Sequence, residues 1–149
     1  MKKIRIVIMF MFATLAVKAQ ILKPVKWSYG SKRLSPTEAV VFLKADIDPG
    51  WHVYSQHVPD GGPVKTSFTF PASTAYLVEG QATEPQPIVK FEKVFNMNVL
   101  YFESQVIFQQ KIKLKISGPV MVRGTLEYMT CNDRQCLPPE DIDFAIEVK

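Results

Sequence analysis

No amphipathic helix of ordinary length can be read in this 149-residue sequence, which argues against a helical bundle and against folds that alternate helices with strands. Cysteine is scarce: Cys131 and Cys136 are the only two, so one intramolecular bridge is the most the chain can make. They are too close in sequence to supply the inter-sheet disulfide of antibody domains. There are no internal repeats and no low-complexity segment. Nor is there a basic stripe with interleaved aromatics, so no nucleic-acid partner is expected. Lys111, Lys113 and Lys115 alternate along one run and read as the solvent face of a strand.

The long apolar runs are also few. Met1-Lys2-Lys3-Ile4-Arg5 is a cationic head, Ile6 to Val17 is apolar, and Val17-Lys18-Ala19 has the small-residue layout of a cleavage site. Residues 1–19 are therefore read as a secretory signal peptide, and 20–149 as one exported domain. The run is short of the about 20 apolar residues a spanning helix needs. No cysteine lies near Ala19 to carry a lipid, so no membrane anchor is expected after cleavage. Lys2, Lys3, Arg5 and Lys18 are four of the 18 basic residues, which leaves 14 basic against 14 acidic residues after the leader. The basic character of the whole sequence belongs to its export signal. The expected compartment is the periplasm, where disulfides persist.

The remaining sequence has a period of two. Val41, Leu43, Ala45 and Ile47 form one face of a run, and Val106, Phe108, Ile112, Leu114 and Ile116 form another, with Gln110 as its exception. Val120, Val122, Leu126 and Tyr128, then Phe144, Ile146 and Val148, repeat the pattern. This is half-buried β structure. Asp48-Pro49-Gly50, Pro59-Asp60-Gly61-Gly62-Pro63, Pro85-Gln86-Pro87 and Ser117-Gly118-Pro119 punctuate it. The last of these is expected to close a hairpin between the runs it separates. Together the runs predict an all-β, immunoglobulin-like antiparallel β-sandwich.

The segment with chemical content is Tyr128-Met129-Thr130-Cys131-Asn132-Asp133-Arg134-Gln135-Cys136-Leu137-Pro138-Pro139-Glu140. Pro138 and Pro139 force an extended exit, so the cysteines sit on a strand–loop–strand. They do not sit at a helix start, as a thioredoxin-type pair does. A bridge needs the two Cα atoms within about 7 Å, which a chain turning over residues 132–135 can meet. As a staple, so short a loop is worth only about 2 kcal/mol, so an exchangeable bridge is favoured over a structural one. Three alternatives stay open: a minor structural bridge, two unpaired thiols, and a zinc set of His52, His57, Cys131 and Cys136. Neither a metal nor any cofactor is the expectation.

These residues resemble the N-terminal periplasmic domain of DsbD, the thiol:disulfide interchange protein. The likeness is carried by Tyr128, Cys131, Cys136, Pro138, Pro139 and Glu140, and by Pro49-Gly50-Trp51-His52-Val53-Tyr54. It spans roughly Val25 to Val148. It implies an immunoglobulin-like fold that carries reducing equivalents through a Cys131/Cys136 dithiol–disulfide pair, with Cys136 exchanging and Cys131 resolving. It also implies that His52 and Tyr54 flank the pair, with Tyr128 and Glu140 nearby. His52 stands where the family often has an aromatic, and its role is open between proton transfer and packing. A cap loop is implied over Phe95 to Phe102, with Phe95, Tyr101 or Phe102 as the aromatic that covers the sulfurs. The cysteines are one residue closer than in the best-known members.

The implied partners are a membrane DsbD-like electron conduit and periplasmic thioredoxin-like proteins. A lone domain of this kind is expected to borrow its electrons from a separate membrane protein. A rival of a different class is a non-catalytic immunoglobulin-like binding module. In that reading the disulfide pins a recognition loop, and Trp51, Tyr54, Tyr101 and Phe102 are contact residues.

Overall fold

The structure, a computed structural model, describes residues 22–149. The expected signal peptide lies outside the described residues. Alternation of apolar and polar side chains produces eleven strands: β1 (Val25–Ser35), β2 (Glu38–Ile47), β3 (Trp51–Tyr54), β4 (Ser67–Thr69), β5 (Tyr76–Thr83), β6 (Ile88–Glu92), β7 (Met97–Phe102), β8 (Gln105–Leu114), β9 (Val120–Tyr128), β10 (Thr130–Asn132) and β11 (Glu140–Val148). Every pairing among them is antiparallel. Three sheets result, ordered β1-β2-β8-β5, β11-β9-β4 and β10-β3-β7-β6. The architecture is the expected all-β, immunoglobulin-like sandwich.

One core joins the layers. Leu43, Ala45, Phe108 and Ile112 from the first sheet meet Val122, Leu126, Phe144 and Ile146 from the second. The third sheet adds Val53 and Phe102, and the Phe102 ring stands edge-on to Phe108 at 5.8 Å between centroids. These side chains fall at every second position, as the sequence pattern predicts.

Two details differ from the sequence reading. The Ser117-Gly118-Pro119 turn does not close a hairpin. β8 is bordered by β2 and β5, whereas β9 is bordered by β11 and β4, so the turn carries the chain from one sheet to another. Alternation identifies a half-buried strand but not its neighbour, and a Gly-Pro turn serves an arch as well as a hairpin. Ile116 lies past the end of β8 and is exposed. Gln110, the polar exception on the core face, is buried and occupied. Its Nε2 donates to the Glu79 carbonyl at 2.9 Å and the Lys111 carbonyl at 3.0 Å. The β5–β8 register breaks just beyond Glu79, so the amide satisfies backbone oxygen where ladder pairing is irregular.

Close packing gives Gly124 a strict role. A Cβ there would lie 2.5 Å from Phe144 Cζ and 2.6 Å from the Thr69 carbonyl oxygen. Gly124→Ala is expected to destabilise the domain by about 1–3 kcal/mol. The check is a lowered urea midpoint with an unchanged m-value; an unaltered midpoint would contradict the packing described.

Candidate functional site

The chain leaves β9 at Tyr128, steps across Met129 and joins the third sheet as β10. There Thr130 pairs with Val53, Cys131 with His52 and Asn132 with Trp51. The buried Thr130 hydroxyl donates to the His52 carbonyl at 2.8 Å and secures that register. Beyond Asn132 the chain turns over Asp133 and Arg134. Asn132 Oδ1 accepts the backbone N–H groups of Arg134 at 2.9 Å and Gln135 at 2.8 Å, as an Asx-type turn requires. The Asn132 N–H then donates to the Gln135 carbonyl, and the Leu137 N–H to the Thr130 carbonyl, both at 2.9 Å. Cys131 and Cys136 face each other between these two bonds, at a non-hydrogen-bonded position where strands approach most closely. Their Cα atoms are 4.0 Å apart and their sulfurs are joined in a disulfide.

The two sulfurs are not equivalent. Cys131 is 2% exposed, whereas Cys136 on the outer arm is open to solvent. Residues of the same face as Cys131 form the floor beneath it. His52 and Tyr54 come from β3, and Tyr101 stands opposite Tyr54 on β7. The His52 ring is 4.7 Å from Tyr101 and 5.2 Å from Tyr54 between centroids. His52 Nε2 and the Tyr54 hydroxyl are 3.1 Å apart and share a hydrogen bond.

The end of β3 is clamped from two directions. Thr66 Oγ1 donates to the Tyr54 carbonyl at 2.6 Å. The Glu84 carboxylate accepts the Ser55 hydroxyl and, at 3.0 Å, the Gln56 backbone N–H. Overhead is the four-residue turn 93–96 between β6 and β7, closed by Asn96 in the left-handed region at φ 52°. Phe95 turns inward and packs against the buried cluster that contains Tyr54, Val99, Tyr101 and Cys131, while Val94 is 86% exposed at the tip. Between turn and hairpin lies a cleft of about 380 Å³, lined among others by His52, Glu92, Phe95, Cys131, Asp133 and Cys136.

Burial dominates the electrostatics. It holds the His52 imidazole below the ordinary histidine pKa, against the opposing pull of Glu92. The Tyr54 hydroxyl is pushed up to about 12, first by burial and then by Glu92 and Tyr101. It therefore stays protonated at neutral pH. Tyr101 is also raised, first by burial and then by Glu103. Lys90 is raised chiefly by Glu92, and its Nζ stands 3.5 Å from Glu92 Oε1 and 3.7 Å from Asp133 Oδ1. That exposed bridge links the β6 arm to the cysteine loop, and its contribution to stability is small.

The structure brings Cys131, Cys136, His52, Tyr54, Phe95 and Tyr101 into one neighbourhood. It does not bring the rest. Phe102 follows Tyr101 on a strand, so it points to the opposite face and lies in the main core. The implied cap loop over Phe95 to Phe102 is correspondingly shorter: Met97 onward is β7, and only the turn 93–96 overhangs the cleft. Tyr128 lies in the main core, edge-on to Trp27 at 5.3 Å, and its hydroxyl donates to Glu140 at 2.9 Å. Neither Tyr128 nor Glu140 lines the cleft. Of the four contact residues a binding module would use, Tyr54, Tyr101 and Phe102 are buried and Trp51 is half-buried. His57 lies beside Gln81 to Pro87, away from Cys131, so the four-residue zinc set is not assembled. Glu92, Val94 and Lys90 were not foreseen from the sequence. The alternation of Ile88 to Glu92, followed by Asn96, was the available sign of a strand entering a tight turn.

The family described as "Thiol:disulfide interchange protein DsbD, N-terminal" matches residues 18–147. No curated protein matches the chain. Among solved structures, the Neisseria meningitidis DsbD N-terminal domain in the reduced form is similar, with a TM-score of 0.52 and 16% identity over 80% of this chain and 84% of that one. The N-terminal periplasmic domain of ScsB from Proteus mirabilis gives a TM-score of 0.59 and 16% identity, covering 85% of this chain and 47% of that one. A chain of the complex between the DsbD N-terminal and PilB N-terminal domains from Neisseria meningitidis gives 0.54 and 14%, covering 85% and 87%. At such identities the structural likeness is one of fold.

The unequal exposure of the sulfurs has a direct chemical consequence. After reduction, iodoacetamide is expected to alkylate Cys136 roughly tenfold or more faster than Cys131, because thiol reactivity follows access. Peptide mass spectrometry over a time course resolves the two sites. Equal rates would contradict the described burial.

Proposed function

The chain belongs to the family of N-terminal domains of the thiol:disulfide interchange protein DsbD, and from that membership we propose that it is a periplasmic carrier of reducing equivalents working through Cys131 and Cys136. As a member of that family it is a thiol–disulfide exchange domain. The observation that carries the finer reading is the asymmetry of the bridge, which joins an exposed Cys136 to a buried Cys131 at one hairpin tip.

In the proposed cycle a thiolate of the electron donor attacks Cys136 Sγ in line with the S–S bond. The donor–Cys136 bond forms, the Cys131–Cys136 bond breaks, and Cys131 Sγ leaves with the electron pair. A second donor thiol resolves the mixed disulfide, so the domain ends reduced and the donor oxidised. The reduced domain then runs the same steps in reverse on an oxidised client, with Cys136 attacking and Cys131 resolving. The donor is a membrane DsbD-like conduit and the clients are thioredoxin-like proteins. A complex between a DsbD N-terminal domain and a PilB N-terminal domain, and the periplasmic placement of the ScsB relative, support a protein partner in that compartment. The turn 93–96 acts as the cover: Phe95 shields Cys131, and Val94 meets the incoming partner first.

Single-cysteine variants test this reading. Cys131→Ala, expressed with its leader in the periplasm, is expected to accumulate covalent adducts that disappear on reduction. Cys136→Ala, whose remaining thiol is buried, is expected to yield roughly tenfold fewer. If neither variant captures a partner, the carrier reading fails.

A further inference from the structure

Exchange leaves a charge problem that the fold itself must meet. Each time the bridge opens at Cys136, the electron pair arrives on the Sγ of Cys131, a residue that is 2% exposed. A thiolate sealed from water is costly. Each time the bridge closes, the Cys131 thiol must lose its proton in the same enclosed place before it can attack. The pairing of β10 with β3 sets His52 directly opposite Cys131 on one face of the sheet, and both side chains line the cleft.

We propose that His52 is the proton acceptor for Cys131 in the closing step, with the Tyr54 hydroxyl fixing its ring. This inference rests on the exchange cycle proposed above. In the tautomer the role requires, Nε2–H donates to the Tyr54 hydroxyl oxygen across their 3.1 Å hydrogen bond, which leaves the Nδ1 lone pair to take a proton. Tyr101 packs against the imidazole and limits its rotation. In the step itself the Cys131 Sγ–H proton passes to His52, and the Cys131 Sγ–Cys136 Sγ bond forms. The bond between Cys136 and the client sulfur breaks, and the client sulfur departs with the electron pair. The imidazolium then returns its proton to the departing thiolate or to solvent. In the opening direction the imidazole first takes up a proton, from solvent or from the donor thiol as it ionises, and passes it to Cys131 Sγ as that sulfur leaves.

The surroundings suit this role. Burial keeps the imidazole neutral near pH 7, which is the form a base requires. The charged groups that act on it are Glu92 and Lys90 from β6, Glu103 just beyond β7, and Asp133 from the cysteine loop, and Arg134 of that loop lines the same cleft. The three acids favour the imidazolium once it forms, and Lys90 opposes it. Its other titratable neighbours, Tyr54 and Tyr101, remain uncharged at neutral pH because burial raises both.

The reaction of the reduced domain with 5,5′-dithiobis(2-nitrobenzoate) separates the steps. The first nitrothiobenzoate is released when Cys136 attacks the reagent, and the second when Cys131 closes the bridge. In the native protein the second rate is expected to level off above the depressed histidine pKa. In His52→Phe the ratio of second to first rate is expected to fall roughly tenfold or more at pH 7. The second rate should then climb with pH as the thiol itself ionises. His52→Gln keeps a polar partner for Tyr54 but no base, and is expected to behave like the Phe variant. If either variant, folded by circular dichroism, retains the native ratio and pH profile, His52 is not the base. If the native protein releases no second equivalent, the exchange cycle itself is wrong.

Discussion

Everything at the cysteine end of the molecule depends on three rungs of backbone pairing: Thr130 with Val53, Cys131 with His52, and Asn132 with Trp51. Side chains alternate along a strand, so a slip of one residue would exchange the two faces. Thr130 prevents the slip by donating its buried hydroxyl to the His52 carbonyl. In this register Val53 and Phe102 fill the main core, while Cys131, Tyr54 and Tyr101 share a separate cluster on the far side. The same sheet thus closes the sandwich with one face and builds the site with the other. Thr66 and Glu84 fix the chain just beyond β3, so the strand that carries His52 and Tyr54 is anchored at its exit as well as along its length.

The inequality of the two sulfurs follows from that geometry. β10 is the outermost named strand of its sheet, and the arm carrying Cys136 folds back beyond it. Cys131 therefore has β3 on one side and Cys136 on the other, with Phe95 packed against its cluster. Cys136 has a neighbour on one side only. A disulfide across so short a loop adds about 2 kcal/mol at most to the stability of the fold, and the continuous apolar core holds the strands without it. The bridge can open without loosening the scaffold that aligns its two halves.

Much of this was legible in the sequence because burial on one face imposes a period of two. β2, β8, β9 and β11 follow their apolar residues closely, and even the exception at Gln110 marks a real irregularity beside β5. Strand neighbours were not legible. Alternation is blind to which sheet a strand joins, so Ser117-Gly118-Pro119 passed for a hairpin when it is an arch. Faces were ambiguous for the same reason around Phe95 to Phe102. Tyr101 and Phe102 are adjacent aromatics, and without the register nothing says which one meets the cysteines. Tyr128 and Glu140 stand beside the cysteine segment in sequence, yet the step at Met129 sends them to a different sheet. Lys90 and Glu92 were silent because an exposed, alternating charged strand resembles any solvent face until its hairpin folds over the site.

How such a site can exchange at all is a question of where thiolate character comes from. A thioredoxin-type pair draws on the positive end of a helix, and no helix exists among the described residues. Nor do cations make up for it. Among the described residues lining the cleft, Arg134 is the only lysine or arginine, and Glu92 and Asp133 line it too. Lys90, the nearest other cation, is shared between those same two acids. The local field therefore does not favour a standing thiolate. A disulfide needs none: when the domain is oxidised, the attacking thiolate belongs to the partner, and this chain has only to present the exposed sulfur and receive charge on the buried one. When the domain is reduced, deprotonation is required on this side, and a neutral base set opposite Cys131 answers that need without stabilising the thiolate at rest. That division of labour suits the proposed carrier: the exposed Cys136 meets the partner, and Cys131 stays buried until exchange brings charge to it.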